Sequence, residues 1–290
     1  MEPSAGMTGG PSRPILKPMS ALIDQRAAES LLAFWAEGGV DALYGEAPFD
    51  RLAEGAERLK AKARPPAPAP TPLKAVRSAA SPDIGAALAQ AKDMAAAATT
   101  LEALAEAISK FEGCPLRYEG ARQAVFARGA ADAPVMIIGE GPGAEEDSMG
   151  QPFVGRAGKL LDRMLAAASL TDRVFITNTV FWRPPGNRNP TPSEQAVCAP
   201  FVERAIALVD PKYLLLVGGA SAKSVLKRDE GILSLRGRWF EWKSADEALE
   251  KPALPTLHPA FLLRQPAAKK RAWQDLLTLT ERLDRRGRPE

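Results

Sequence analysis

Residues 135–158 read VMIIGEGPGAEEDSMGQPFVGRAG, and the fold is decided by how this stretch changes character. Val135-Met136-Ile137-Ile138 is a short apolar run, rich in residues that suit a buried strand. Gly139-Glu140-Gly141-Pro142-Gly143 follows at once and can neither extend a strand nor begin a stable helix. It makes a sharp loop in which backbone can approach a ligand closely. Glu145-Glu146-Asp147 adds an acidic cluster, Gln151-Pro152-Phe153-Val154-Gly155 a second turn, and from about Arg156 to Ala168 the pattern is helical. A strand that empties through a glycine-rich turn into a helix is where open α/β sheets place their ligand sites.

The same grammar repeats downstream. Val174-Phe175-Ile176-Thr177-Asn178 reads as a second strand and Tyr213-Leu214-Leu215-Leu216-Val217 as a third, closed by Gly218-Gly219. Leu254-Pro255-Thr256-Leu257 reads as a fourth and delivers His258-Pro259-Ala260. Between them, Thr191-Pro192-Ser193-Glu194 opens a helix carrying Cys198, Ser221 to Leu226 is a short helix, and the last helix spans about Pro266 to Arg282. Ala124-Val125-Phe126-Ala127 is a candidate edge strand, and Leu235 to Trp242 a candidate hairpin arm. Alternating strands and helices predict an α/β fold: a three-layer α/β/α sandwich on a central four-stranded, mainly parallel sheet, with a helical N-terminal extension. Glu140, Asn178, Gly218-Gly219 and His258 each follow the C-terminal end of a predicted strand, and such ends line a single crevice.

Upstream, the composition divides the chain into a helical, partly disordered extension (1–63), a Pro/Ala-rich basic linker (64–80) and the α/β domain (81–290). The linker is either a solvated spacer or a tether that skims nucleic-acid phosphates, and the extension could recruit a protein partner. Ser81-Pro82-Asp83 can start the first helix of the domain, and Thr99 or Thr100 can cap the second. Net charge is +3 with a sequence pI near 8.9, which permits nucleic-acid binding without requiring it. No apolar run of about 18 residues predicts a membrane span, and the N-terminus lacks the apolar core of a secretory signal. Two cysteines, Cys114 and Cys198, fit a reduced, cytoplasmic monomer better than a disulfide scaffold.

Taken alone, the glycine loop admits three readings: a plain β-to-α turn, a nucleotide-phosphate loop, or a base-binding loop. The phosphate loop is disfavoured, because neither Gly-Lys-Ser/Thr nor the G-x-G-x-x-G spacing is present. The other residues have bland readings too. Phe153 alone would be core, Asn178 a turn residue, the acidic cluster a solvated helix start, and Arg183, Arg188 and Arg264 surface charge.

Read together, the segments remove that ambiguity. Gly139-Glu140-Gly141-Pro142-Gly143-Ala144-Glu145-Glu146-Asp147, Pro152-Phe153-Val154-Gly155-Arg156-Ala157-Gly158, Asn178 with Arg183-Pro184-Pro185-Gly186-Asn187-Arg188, and His258-Pro259-Ala260 with Leu262-Leu263-Arg264 resemble a family 4 uracil-DNA glycosylase. The resemblance covers about residues 111–282. It implies hydrolysis of the bond between uracil and deoxyribose in DNA, leaving an abasic site. It implies pocket roles for Glu140 and Gly141, stacking of Phe153 on uracil, reading of the base edge by Asn178, support of the leaving base by His258, and Glu146 close to uracil. Of the two glutamates, Glu146 is ranked as the electrostatic helper at the sugar and Glu140 as pocket lining. Arg183, Arg188 and Arg264 become candidate phosphate contacts.

The chemistry suits those residue types. A base within a duplex must be everted before its sugar carbon can be reached. A flat ring wants an aromatic platform, an amide can donate and accept at once on uracil's O4 and N3–H, and a neutral imidazole can donate to an oxygen that gains charge as the base departs.

One feature of the family is not matched. Family 4 enzymes hold an iron–sulfur cluster on four cysteines, and the four corresponding positions here are Phe111, Cys114, Trp182 and Cys198. Two thiolates fall short of the four ligands such a cluster takes. The expectation is therefore no cluster and no other metal, with Phe111 and Trp182 as an aromatic plug in its place. Three functions remain to weigh: a uracil-DNA glycosylase without a cluster, a related glycosylase with altered base specificity, and a non-catalytic DNA-binding or partner-recruiting homologue.

Overall fold

A computed structural model describes residues 84–285. The expected extension (1–63), the linker (64–80), the Ser81-Pro82-Asp83 helix start and the basic tail beyond residue 285 lie outside the described residues.

The sheet has six strands: β1 (Ala127–Gly129), β2 (Val135–Gly139), β3 (Val174–Asn178), β4 (Tyr213–Val217), β5 (Phe240–Lys243) and β6 (Glu250–Thr256), in the order β1-β3-β2-β4-β6-β5. The four inner strands β3, β2, β4 and β6 pair in parallel, as the strand-helix alternation predicts. Short antiparallel strands close both edges and take the sheet from four strands to six. The candidate strand at 124–127 forms three residues later, pairing Ala127 with Thr177 and Arg128 with Ile176. Upstream of it the chain is held in other ways: Val125 N–H donates to the Phe181 carbonyl at 2.7 Å, and the Thr177 hydroxyl donates to the Phe126 carbonyl at 2.7 Å. The candidate hairpin arm supplies β5, which is antiparallel to β6.

Alternation along the strands sorts side chains to two faces. Val135 and Ile137 of β2 join Val174, Ile176, Tyr213 and Leu215 on one face, covered by α4 (Arg156–Ala167) and α9 (Lys269–Arg285). Met136 and Ile138 join Phe175, Leu214 and Leu216 on the other, covered by α1 (Ile84–Ala97), α2 (Leu101–Lys110) and α5 (Pro192–Val209). Strands buried on both faces read as unbroken apolar runs, which is why β2, β3 and β4 are legible in the sequence. Capping fixes the helix starts. Thr100 accepts from Ala103 N–H ahead of α2, and Thr191 and Glu194 form a reciprocal cap ahead of α5.

The short helices α3 (Ala144–Met149), α6 (Gly219–Leu226), α7 (Ile232–Leu235) and α8 (Pro259–Arg264) connect these layers. Among the described residues, no helix is long and apolar enough to cross a membrane.

The last parallel strand is anchored by a buried charge. Asp275 of α9 is almost fully enclosed; it accepts from the Thr256 hydroxyl at 2.7 Å and pairs with the Arg236 guanidinium. Burial pushes the Asp275 carboxyl up, and the Arg236 and Thr256 hydrogen bonds pull against that. Thr256 ends β6 two residues before His258, so this contact braces the strand that delivers the imidazole. Replacing Asp275 with Ala strands Arg236 and the Thr256 hydroxyl and should cost about 3 kcal/mol, read as a lower urea midpoint at unchanged slope.

Candidate functional site

The C-terminal ends of the parallel strands open into one cavity of about 480 Å³. Glu140 and Gly141 reach it from the loop after β2, Asn178 from the end of β3 and His258 from the loop after β6. Glu146 on α3 and Phe153 in the turn before α4 complete the inner wall, and Pro184, Asn187, Arg188 and Pro190 form the outer one. Gly218 does not line the cavity. A Cβ there would come to 3.1 Å from the His258 Cβ, so the glycine backs the imidazole rather than facing a ligand.

Asn178 is the innermost polar side chain. It is 1% exposed, and its Oδ1 is buried with no hydrogen-bond donor among the described residues. Its approach depends on the last residue of β2. A Cβ on Gly139 would lie 2.4 Å from Asn178 Oδ1 and 2.5 Å from Phe153 Cζ, so only glycine lets the amide and the phenyl ring close on the same space. The loop beyond is pinned by its backbone: Thr179 N–H donates to the Gly139 carbonyl, and the Thr179 hydroxyl donates to the Glu140 carbonyl at 2.6 Å.

Phe153 and His258 stand side by side, with ring centroids 5.8 Å apart and planes inclined by 31°. His258 caps α8: its Nδ1 accepts from Ala260 N–H at 3.1 Å. That bond fixes the tautomer, because the neutral ring must then carry its proton on Nε2. The imidazole pKa falls to about 4, chiefly through burial and then through the charge of Arg264, with Glu146 pulling weakly the other way. A neutral donor at pH 7 follows.

The two glutamates differ in what they touch. Glu146 Oε1 accepts from Val154 N–H at 3.0 Å and Gly155 N–H at 2.9 Å, and Oε2 accepts from Gly143 N–H at 3.1 Å. Its carboxylate is thus spent on joining the glycine loop to the Phe153 turn. No described side chain or backbone group donates to the Glu140 carboxylate, and burial pushes its pKa up. Sequence ranks Glu146 ahead of Glu140 as the electrostatic helper at the sugar; in the structure Glu146 is the hydrogen-bonded carboxylate and Glu140 the one without a donor among the described residues.

The three arginines also separate. Arg264 stands exposed at the cavity rim, with no carboxylate paired to it among the described residues. Arg188 lines the cavity, yet its guanidinium grips Glu194 with two bonds of 2.9 and 2.7 Å and Glu119 with one of 3.1 Å. Arg183 is not among the lining residues; its Nε donates to Asn187 Oδ1 at 2.7 Å and orders that loop. Arg128, which nothing in the sequence singles out, donates to the carbonyls of Pro152 and Phe153 from β1. No spacing or motif could have flagged it, because the contact crosses from an edge strand to a turn 24 and 25 residues away.

Behind the cavity, the four positions at which cluster cysteines are expected do meet. Cys114 and Cys198 are buried thiols with sulfurs 4.0 Å apart. Phe111 and Trp182 are buried beside them with ring centroids 6.4 Å apart, and Phe111 packs edge-on to Phe201 at 5.1 Å. Burial, then the neighbouring Cys114, holds the Cys198 thiol well above its ordinary pKa and hence protonated. Two thiols among packed rings do not fit a four-thiolate cluster.

Comparison with known proteins follows the same residues. The family model described as the uracil DNA glycosylase superfamily matches residues 126–277. A type-4 uracil-DNA glycosylase of Thermotoga maritima is 36% identical over 57% of this chain and 83% of its own length. Those of Sulfurisphaera tokodaii and Pyrobaculum aerophilum are 35% and 36% identical, over 63% and 61% of this chain and 84% and 91% of their own lengths.

The chain has a single histidine, so the imidazole can be watched alone. Its NMR resonance should titrate with a midpoint near 4 in the folded protein, against an ordinary value of 6.5. A native midpoint at the ordinary value would overturn the buried, neutral assignment.

Proposed function

Because the chain belongs to the uracil DNA glycosylase superfamily, we propose that it removes uracil from DNA by hydrolysing the N-glycosidic bond, as a glycosylase of base excision repair. The observation that carries this reading is the orphan acceptor at Asn178 Oδ1. A carbonyl oxygen buried without a donor, on a side chain that lines a ligand-sized cavity, asks for an N–H from the ligand. Uracil supplies one at N3, beside a carbonyl at O4 for the amide's own N–H₂. Cytosine has an acceptor at N3 and a donor at C4, so both bonds would fail. The amide therefore selects uracil by the cost of leaving buried groups unpaired.

In the proposed reaction the everted base stacks on Phe153 while Asn178 holds its N3–O4 edge. As the C1′–N1 bond breaks, its electron pair leaves with the base and charge spreads to O2. The neutral His258 donates its Nε2–H to that oxygen. Glu140, the desolvated carboxylate without a partner, favours the positive charge growing on the sugar and takes a proton from the water that adds to C1′. Glu146 acts one step removed, through the loops it joins. Arg264 meets a DNA phosphate at the rim. Arg188 is withdrawn from that role to buttress α5 through Glu194, and Arg183 to order its own loop.

The glycosylase domain occupies residues 81–290 and acts as a monomer without a metal, with the aromatic packing of Phe111 and Trp182 standing where relatives of this type carry a cluster. What supports this is the donor set: two buried thiols and two rings. The extension at residues 1–63 recruits a protein partner, and the cytoplasm is the compartment that keeps such thiols reduced.

Two experiments test the reading. A uracil-containing oligonucleotide incubated with the protein and then treated with alkali should be cut at uracil, and the matching cytosine oligonucleotide should stay intact. His258→Ala and Asn178→Ala should each lower the single-turnover rate by roughly 100-fold or more, the usual cost of losing one transition-state donor; full activity in both would remove the pocket assignment. The purified protein should be colourless and free of iron. Absorption near 400 nm with about four irons per chain would overturn the plug.

A further inference from the structure

The backbone at Phe153 is in the left-handed region, φ 55°, a strained conformation uncommon for a bulky residue. Something must hold it there, and the holding groups are charged. On one side Arg128 Nε donates to the Pro152 carbonyl at 2.8 Å, and Arg128 Nη2 donates to the Phe153 carbonyl at 3.2 Å. The same Nη2 pairs with Asp162 of α4 at 2.6 Å. On the other side Glu146 accepts from Val154 and Gly155, the next two amides. The four polar groups that bracket the Phe153 turn are therefore claimed by one cation and one anion. From behind, α4 closes against the turn at Gly158, where a Cβ would lie 1.7 Å from the Phe153 oxygen.

We infer that Arg128 is a positioning residue for base recognition: together with Glu146 it clamps the Phe153 turn, so that the phenyl platform is presented before the base arrives. The edge strand β1 acquires a purpose beyond closing the sheet, since its register on β3 sets the guanidinium opposite the turn. A lysine could reach one carbonyl but not span two carbonyls and Asp162, because the planar fork is what matches the three acceptors. A platform that must be ordered on each encounter loses part of the binding free energy to that ordering, and an ångström of misplacement in a reacting complex can cost as much as 100-fold in rate.

This rests on the uracil-excision reading, so the wild-type protein is assayed first. If it does not cut uracil, that reading fails, and the clamp is judged on free-protein amide exchange alone. Arg128→Ala should lower the single-turnover rate on a uracil oligonucleotide by roughly 10- to 100-fold, and Arg128→Lys should recover only part of it. Amide exchange at Val154 and Gly155 should speed up, while β2, β3 and β4 stay protected. The decisive comparison is the double variant. If Arg128 acts through Phe153, then Arg128→Ala should cost little further rate in a Phe153→Ala background, because residues in one chain of contacts do not add. Equal losses in both backgrounds, an Arg128→Ala rate matching wild type, or unchanged exchange at Val154 and Gly155 would each overturn the clamp. A general loss of protection across the sheet in Arg128→Ala would also count against it, since the arginine would then be supporting the whole fold.

Discussion

A buried oxygen without a donor is the constraint around which this protein is built. Asn178 Oδ1 is buried at the end of β3 with no donor among the described residues, and leaving such an acceptor unpaired costs about 1–3 kcal/mol. The surroundings keep it so. Gly139 yields the room for amide and ring to share one space, the Thr179 hydroxyl is turned away to the Glu140 carbonyl, and no neighbouring N–H reaches the oxygen. An amide held unsatisfied in the apo protein loses nothing by binding the right edge and gains nothing from the wrong one. Selectivity at such a site is set before the ligand arrives.

Preparation in advance is also how the rest of the pocket works. The imidazole is stripped of charge by burial and fixed in one tautomer by Ala260 N–H, so in the proposed reaction it would meet a developing anion as a donor of known direction. Phe153 is held in a backbone conformation it would not choose. The Glu140 carboxylate is left without the hydrogen bonds that would stabilise its charge. Each arrangement is locally unfavourable, and each is offset by the two apolar layers that fix the sheet on which they stand.

Much of this was legible in the residue order, and the reason is physical. Strands covered on both faces show as apolar runs, and β2, β3 and β4 were readable to within a residue. The ends of β2, β3 and β6 marked where Glu140, Asn178 and His258 would converge, because in a parallel sheet the loops at one edge share a crevice. What could not be read is what depends on pairing between distant segments. β1 and β5 are short strands made by their neighbours rather than by their own composition. Glu140 and Glu146 look alike in sequence, and only the Val154, Gly155 and Gly143 amides separate a free carboxylate from a committed one. The partners of Arg188, Glu194 and Glu119, lie 6 and 69 residues away and are equally invisible to its motif. Charge alone does not say where a side chain spends it.

The packed rings behind the cavity carry a consequence for the conditions under which the protein can work. An inorganic cross-link must be assembled by other proteins, and its iron can be lost to oxidants such as peroxide. Phe111, Trp182, Phe181 and Phe201 join the same backbone segments with carbon alone, and the two thiols among them are shut away from solvent. On the metal-free reading proposed above, a scaffold closed in this way would be ready as soon as the chain folds and would draw on no metal supply. Oxidative stress and deaminated bases can arrive together, and a structure of this composition would keep its shape through the first while attending to the second.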